Sequence, residues 1–281
     1  MTLNFENRYA LGPNETKNLD TKGLRDNFLI ENLFQPGKIS FTYSHYDRFM
    51  VGGCQPIETA ITLETIDELL KMPNFLDRRE MGIINIGGNG KISVDGEEYE
   101  IAFKDALYIG KGAKSVQFSS VDATNPAKFY LNSTPAHQTF PTRKVTKQEA
   151  NQIRLGTVEN ANKRTINQIL LHKNIDTCQL QMGLTELDLG SVWNTMPVHT
   201  HDRRMEAYLY FELDSSQAVS HFMGTIEETR HIWVKNEEAV LSPPWSIHSG
   251  AGTSNYSFIW GMAGENLDYD DMDKYEISAI K

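Results

Sequence analysis

The sequence predicts an all-β protein made of two similar halves. Three observations lead there. Short segments of alternating polar and apolar residues recur along the chain, separated by turn residues. Helical periodicity is scarce. One half also echoes the other in a weak internal repeat. A chain of 281 residues suits such a plan, with each half near the roughly 100–150 residues of a common domain.

The strands can be taken in chain order. "GKISVDGEEYEIAF" (90–103) reads as a hairpin, because Asp95-Gly96 supplies the two residues that tolerate positive φ at a tight turn. "DALYIGKGAKSVQFSS" (105–120) is a strand, a glycine-rich turn and a second strand. "TCQLQMGLTELDLG" (177–190) alternates and stops at Gly190, and "NYSFIWGMAG" (255–264) has the composition of a buried strand. Three short helices are expected: "ETIDELLKM" (64–72), "KQEANQI" behind a Thr146/Glu149 capping box, and "DDMDKYEIS" near the C-terminus.

The repeat matches "PNFLDRREMGIINI" (73–86) with "PVHTHDRRMEAYLYF" (197–211). Further along, "KDALYIGKGAKSV" (104–116) matches "EEAVLSPPWSIHS" (237–249). Two halves follow, 1–145 and 146–281.

Bulk properties narrow the partners. The net charge of −10 argues against nucleic acid and anionic membrane, and leaves room for a small anion only where cations gather locally. Two cysteines, Cys54 and Cys178, form no disulfide framework and suit a reducing compartment. The first twenty residues lack a basic start followed by an apolar run, so a cytoplasmic location is expected.

Chemistry concentrates in "MPVHTHDRRMEAYLYF" (196–211). His199 and His201 share a face only on a strand, since residues two apart diverge on a helix. Glu206 lies an odd number of residues past His201 and would face the other way on one unbroken strand. A reversal at Asp202-Arg203-Arg204 removes the conflict. His248 follows Pro243-Pro244, which stops a central strand, and precedes Gly250 and Gly252, which mark a turn. Three imidazoles and one carboxylate are ligands for a divalent transition metal. His137, His172, His221 and His231 read as ordinary polar residues. The first half serves as a control: Asn74 falls opposite His199, Leu76 opposite His201, and Lys114 or Ser115 opposite His248. Glu80 alone reads as a surviving counterpart, of Glu206, so the first half is expected to keep the barrel without a metal.

H-x-H-x4-E followed by P-x3-H resembles the two motifs of the cupin superfamily. Longer words, among them "LDTKGLRDNFL", "YSHYDRFMVGG", "FLDRREMGIINIGG", "WNTMPVHTHDRRMEAYLYF" and "SPPWSIHSG", resemble the 5-keto-4-deoxyuronate isomerase family across roughly residues 18–273. That resemblance implies two tandem cupin-type jelly-roll barrels and zinc on His199, His201, Glu206 and His248. It also implies a homo-hexamer and an aldose–ketose interconversion of a deoxy-ketouronate in pectin breakdown.

Such a reaction takes a proton from C2, passes through an enediol and returns a proton at C1. A Lewis acid at the two oxygens and one tuned base would serve it. Four protein ligands would close a tetrahedral zinc site, so manganese, iron or nickel stay open alternatives. Glu206 and Tyr208 are the candidate proton carriers, with Tyr210 on the same strand face. Arg164, Arg203, Arg204 and Arg230 are candidates for clamping the substrate carboxylate, and Trp245 and His45 for the pocket wall. The rival readings are an iron-dependent cupin oxygenase, a non-enzymatic uronate-binding bicupin, and a metal that merely staples the second half.

Overall fold

The computed structural model describes residues 3–281, and strands dominate it. The chain separates into two compact units, each drawn from three stretches. The first comprises residues up to Arg8, Asn32–Asn151 and Ile169–Met182; the second comprises Tyr9–Glu31, Gln152–Gln168 and Gly183–Lys281.

The first unit holds a seven-stranded sheet in the order Leu3–Arg8, Ile39–Ser44, Met50–Cys54, Phe129–Pro135, Arg79–Asn85, Ala106–Ile109, Arg143–Val145. A four-stranded sheet accompanies it, with Ile61–Thr62, Val116–Ser120, Gly90–Val94 and Glu97–Ile101 in that order. The expected hairpin is present. Asp95 (φ 50°) and Gly96 (φ 92°) both take the left-handed conformation that a two-residue turn matched to strand twist requires.

A second seven-stranded sheet runs Asn151–Leu155, Arg164–Leu170, Gln181–Leu187, Ser257–Gly264, Arg204–Phe211, Glu238–Ser242, Leu29–Ile30. Its four-stranded companion is Trp193–Asn194, Ser249–Gly252, Val219–Thr225, Glu228–Val234. Place by place, the two pairs of sheets repeat one plan. In both large sheets the strand that follows Asp-Arg-Arg lies third from one end, paired on each side, and every residue of Arg204–Phe211 is buried.

Of the three expected helices, the first is present but shortened and the other two are replaced by 3-10 turns and strands. Residues 64–72 form one turn, Asp67–Leu70, ended by Lys71 at φ 50° ahead of Pro73. The Thr146/Glu149 capping box is present but caps a single 3-10 turn, Lys147–Glu149, after which Asn151–Leu155 joins the sheet. "DDMDKYEIS" forms the short strand Asp273–Lys274 and a 3-10 turn at Ile277–Ala279. In the second and third of these pieces, pairing with a waiting strand edge outcompetes weak local helix preference. The longest helix, Thr21–Phe28, falls outside the three expected. Asp20 caps it by accepting a hydrogen bond from the Gly23 N–H at 2.7 Å.

Glu80 is also corrected. Matching Asp77-Arg78-Arg79 to Asp202-Arg203-Arg204 sets Met81, not Glu80, opposite Glu206. A one-residue offset reverses the face. Met81 and Ile83 sit in the first unit's apolar core, with Phe118, Phe129 and Leu131. Glu80 points the other way. It accepts hydrogen bonds from Tyr108 Oη (2.6 Å) and from the backbone N–H groups of Cys178 (2.8 Å), Gln179 (2.9 Å) and Leu180 (2.9 Å).

Candidate metal centre

Each of four side chains is delivered by a separate local device. His199 lies in the two-residue strand His199–Thr200, which pairs antiparallel with Asp273–Lys274. His201 follows it, and the chain turns at Asp202 and Arg203, closed by the Arg204 N–H donating to the His201 carbonyl at 3.0 Å. Arg204–Phe211 then starts in register against Ser257–Gly264, placing Glu206 opposite Met262, Tyr208 opposite Trp260 and Tyr210 opposite Phe258. His248 leaves the turn at Pro243–Ser246 and enters strand Ser249–Gly252. Its neighbour Ile247 donates its N–H to the Gly224 carbonyl at 2.9 Å.

The four side chains converge in a closed circuit. His199 Nε2 is 3.2 Å from His201 Nε2, which is 3.0 Å from Glu206 Oε2. That oxygen is 3.0 Å from His248 Nε2, which is 3.1 Å from His199 Nε2. Ligands about 2.0–2.1 Å from one ion stand roughly 3 Å apart, so this spacing is that of a coordination shell. Among the described residues this is the group of His, Cys, Asp and Glu side chains so arranged.

Electrostatics suit the same role. Burial and the neighbouring imidazoles of His248 and His201 push His199 down to about 2; burial also lowers His201, against the opposing pull of Glu206. Both rings therefore stay neutral, as ligands must. Burial alone would raise the Glu206 carboxyl, yet His248 and His201 beside it hold it well below the usual carboxylate range. The donor set of three imidazoles and one carboxylate fits a divalent transition ion. Behind the cluster, Tyr210 Oη and His221 Nδ1 are 2.8 Å apart. His221 Nε2 and His248 Nδ1 are buried with no partner among the described residues. His221, read in the sequence as ordinary, thus stands fully buried beside the cluster.

A cavity of about 320 Å³ opens onto three of the four, His199, His201 and Glu206. Tyr208, Phe258, Trp260 and Met262 form one wall, in keeping with the sheet face they share across two paired strands. The Tyr208 hydroxyl lies 3.0 Å from Thr195 Oγ1, and burial, with the Glu206 charge, holds the phenol well above its ordinary range. Of the expected carboxylate clamps, Arg164 lines this cavity, with its guanidinium donating to the Asn162 carbonyl at 2.8 Å.

The other expected residues stand elsewhere. Arg203 pairs with Asp271 (2.6 Å) and Asp273 (3.0 Å). Arg204 is buried, with its guanidinium 3.2 Å from His201 Nδ1. Arg230 bonds Glu228 (2.6 Å) and the Lys17 carbonyl, and borders a separate groove with Trp245, whose indole N–H donates to the Leu11 carbonyl at 3.1 Å. His45 belongs to the first unit, exposed and 2.9 Å from Asn7 Oδ1. Sequence reasoning missed Tyr269, and also Asp270, Met272 and Lys274, which line the cavity from the segment misread as helix. Their only local signal was the need of His199-x-His201 for a strand partner.

The chain matches the KduI/IolB family over residues 32–278. It is 59% identical over 281 residues to the 4-deoxy-L-threo-5-hexosulose-uronate ketol-isomerase of Formosa agariphila, covering 100% of both chains. Against the protein of that name from Dickeya dadantii it is 52% identical over 98% of this chain and 99% of the other. Solved structures extend the likeness at the level of fold. An IolB-like protein from Salmonella typhimurium LT2 superposes with a TM-score of 0.64 at 16% identity, covering 81% of this chain and 86% of that one. Bacillus subtilis oxalate decarboxylase gives 0.54 at 10% identity, over 79% and 70%.

Proposed function

This chain belongs to the KduI/IolB family, and from that premise we propose that it is a ketol-isomerase acting on 4-deoxy-L-threo-5-hexosulose-uronate. The enzyme moves the carbonyl of this sugar acid from C1 to C2, giving 3-deoxy-D-glycero-2,5-hexodiulosonate. The observation that carries the reading is the four-membered circuit of His199, His201, Glu206 and His248, three of whose members, His199, His201 and Glu206, open onto a cavity sized for a small molecule.

These four residues would hold a divalent ion, which we assign as zinc from the family resemblance. A bound ion would supply Lewis acidity, stabilising the negative charge that develops on sugar oxygen as carbons C1 and C2 exchange oxidation level. The protein supplies the rest. Arg164 is placed to receive the carboxylate, and its partly buried guanidinium strengthens that contact. Glu206 and Tyr208 face the cavity from one strand. In this reading Glu206, facing the cavity, accepts the carbon proton; Tyr208 keeps its phenolic proton and donates to a sugar oxygen as charge builds there. Phe258, Trp260 and Met262 exclude water from the enediol.

The first half, residues 1–145, supplies most of a metal-free cupin barrel and the second, 146–281, most of the catalytic one, with Tyr9–Glu31 belonging to the second unit and Ile169–Met182 to the first. A homo-hexamer would cover apolar side chains now exposed, such as Leu155 and Leu189. Two free buried cysteines suit a cytoplasmic place, and pectin breakdown is the source of substrate that the resemblance implies. Nuclear magnetic resonance of the sugar acid incubated with the protein tests the proposal. Conversion to the 2,5-diketo acid, lost on chelation and restored by zinc, is the expected result. An unchanged spectrum with metal-loaded protein overturns it.

A further inference from the structure

The turn that separates His201 from Glu206 does more than reverse the chain. Arg204, its last residue, is 1% exposed, and its guanidinium reaches under a stretch of the C-terminal segment. One nitrogen donates to Asn266 Oδ1 (3.0 Å) and the Asp268 carbonyl (2.6 Å). The other donates to the carbonyls of Tyr269 (3.1 Å) and Asp271 (3.3 Å) and lies 3.2 Å from His201 Nδ1. The Asp271 carbonyl is also 3.3 Å from His201 Nδ1, the ring atom left over when Nε2 serves as a ligand.

Residues 266–272 have no strand or helix of their own to hold them. Tyr269, Asp270 and Met272, with Lys274 beyond, nonetheless form the outer wall of the cavity. Three further ties lie nearby. Asn266 donates to Asp271 Oδ2 at 2.6 Å, Arg203 pairs with Asp271 and Asp273, and the Glu265 N–H donates to the Arg203 carbonyl at 2.8 Å. A buried fork of donors facing four acceptors on one irregular segment is a fastening that lysine, a point charge with three donors, cannot reproduce.

We propose that Arg204 is a positioning residue. It clamps segment 266–274 as a cap over the cavity and ties that cap to His201, so the wall that encloses the sugar and the orientation of one metal ligand are set by the same side chain. The inference deepens the isomerase reading and rests on it for its kinetic consequence; the clamp itself is read independently of turnover.

The test compares wild-type holoenzyme with Arg204→Lys and Asn266→Ala, the second of which removes one acceptor of the guanidinium together with the Asn266 tie to Asp271 and lies outside the barrel strands. Amide hydrogen exchange is followed at residues 266–274, together with zinc affinity and the separate values of KM and kcat. In Arg204→Lys, exchange across 266–274 should accelerate about 10-fold or more while strand Ser257–Gly264 keeps its protection. Zinc affinity should fall about 10–100-fold, the usual cost of losing a group that orients a ligand. KM should rise more than kcat falls, because the cap encloses substrate. Asn266→Ala should show the same pattern, smaller, and decides the matter alone if the lysine variant does not fold. Unchanged exchange at 266–274, or faster exchange with wild-type KM and zinc affinity, would sink the clamp. A wild-type enzyme that leaves the sugar unconverted counts against the isomerase reading instead, with the exchange result still judging the clamp.

Discussion

His248 Nε2 lies 3.1 Å from His199 Nε2 across 49 residues of chain, and both rings are buried. That contact closes the circuit of ligands. Replacing His248 by Ala is expected to cut bound zinc to well under one equivalent and to abolish conversion. Elemental analysis beside the turnover assay checks this; full activity in metal-free protein would defeat the mechanism.

Tyr208 and Glu206 share a strand face but should separate in their effects. Tyr208→Phe removes only the hydroxyl near Thr195, so zinc stays and kcat falls about 10²–10³-fold, the range for losing one proton or oxyanion donor. Glu206→Gln should lose metal and turnover together. A Tyr208→Phe enzyme with wild-type kcat would remove the phenol from the reaction.

Arg164 is the arginine placed at the cavity among those the sequence offered. Arg164→Met should raise KM for the uronate by about 10–100-fold, as expected on losing a charge-assisted pair. Arg230→Met, in a different groove, should leave KM unchanged. Equal effects from the two variants would show that neither holds the carboxylate directly.

The His221 ring predicts a pH dependence of stability. Burial, aided by His248, pushes it down to about 3 from an ordinary 6.5. Between those values the unfolded chain binds a proton that the folded one refuses. The contribution is therefore present above pH 6.5 and lost as pH falls toward 3, on the order of a few kcal/mol. In metal-free protein, His221→Gln should flatten the fall in urea midpoint over that window. An unaltered slope would count against a neutral buried ring.

Glu80→Ala tests the first unit. It leaves three backbone N–H groups and the Tyr108 hydroxyl without their acceptor, so unfolding free energy should drop by about 2–4 kcal/mol, with zinc content unchanged. Loss of zinc in that variant would contradict the assignment of Glu80 to structure alone.

The sequence alone determined the all-β class, the Asp95-Gly96 hairpin, the reversal at residues 202–204 and the identity of four converging side chains. Those depend on period, turn chemistry and spacing, which are local. Tertiary structure decided what depended on a distant partner. Strand Asp273–Lys274 exists because His199–Thr200 offers an edge, so no local pattern announced it and its residues were misread as helix. Met81 rather than Glu80 faces the first core because a single residue of register reverses a strand's faces. Arg204 reads as one more charge beside a turn until the fold lays residues 266–271 over it. Hydrogen-bond partners separated by sixty or more residues leave no trace in either sequence neighbourhood.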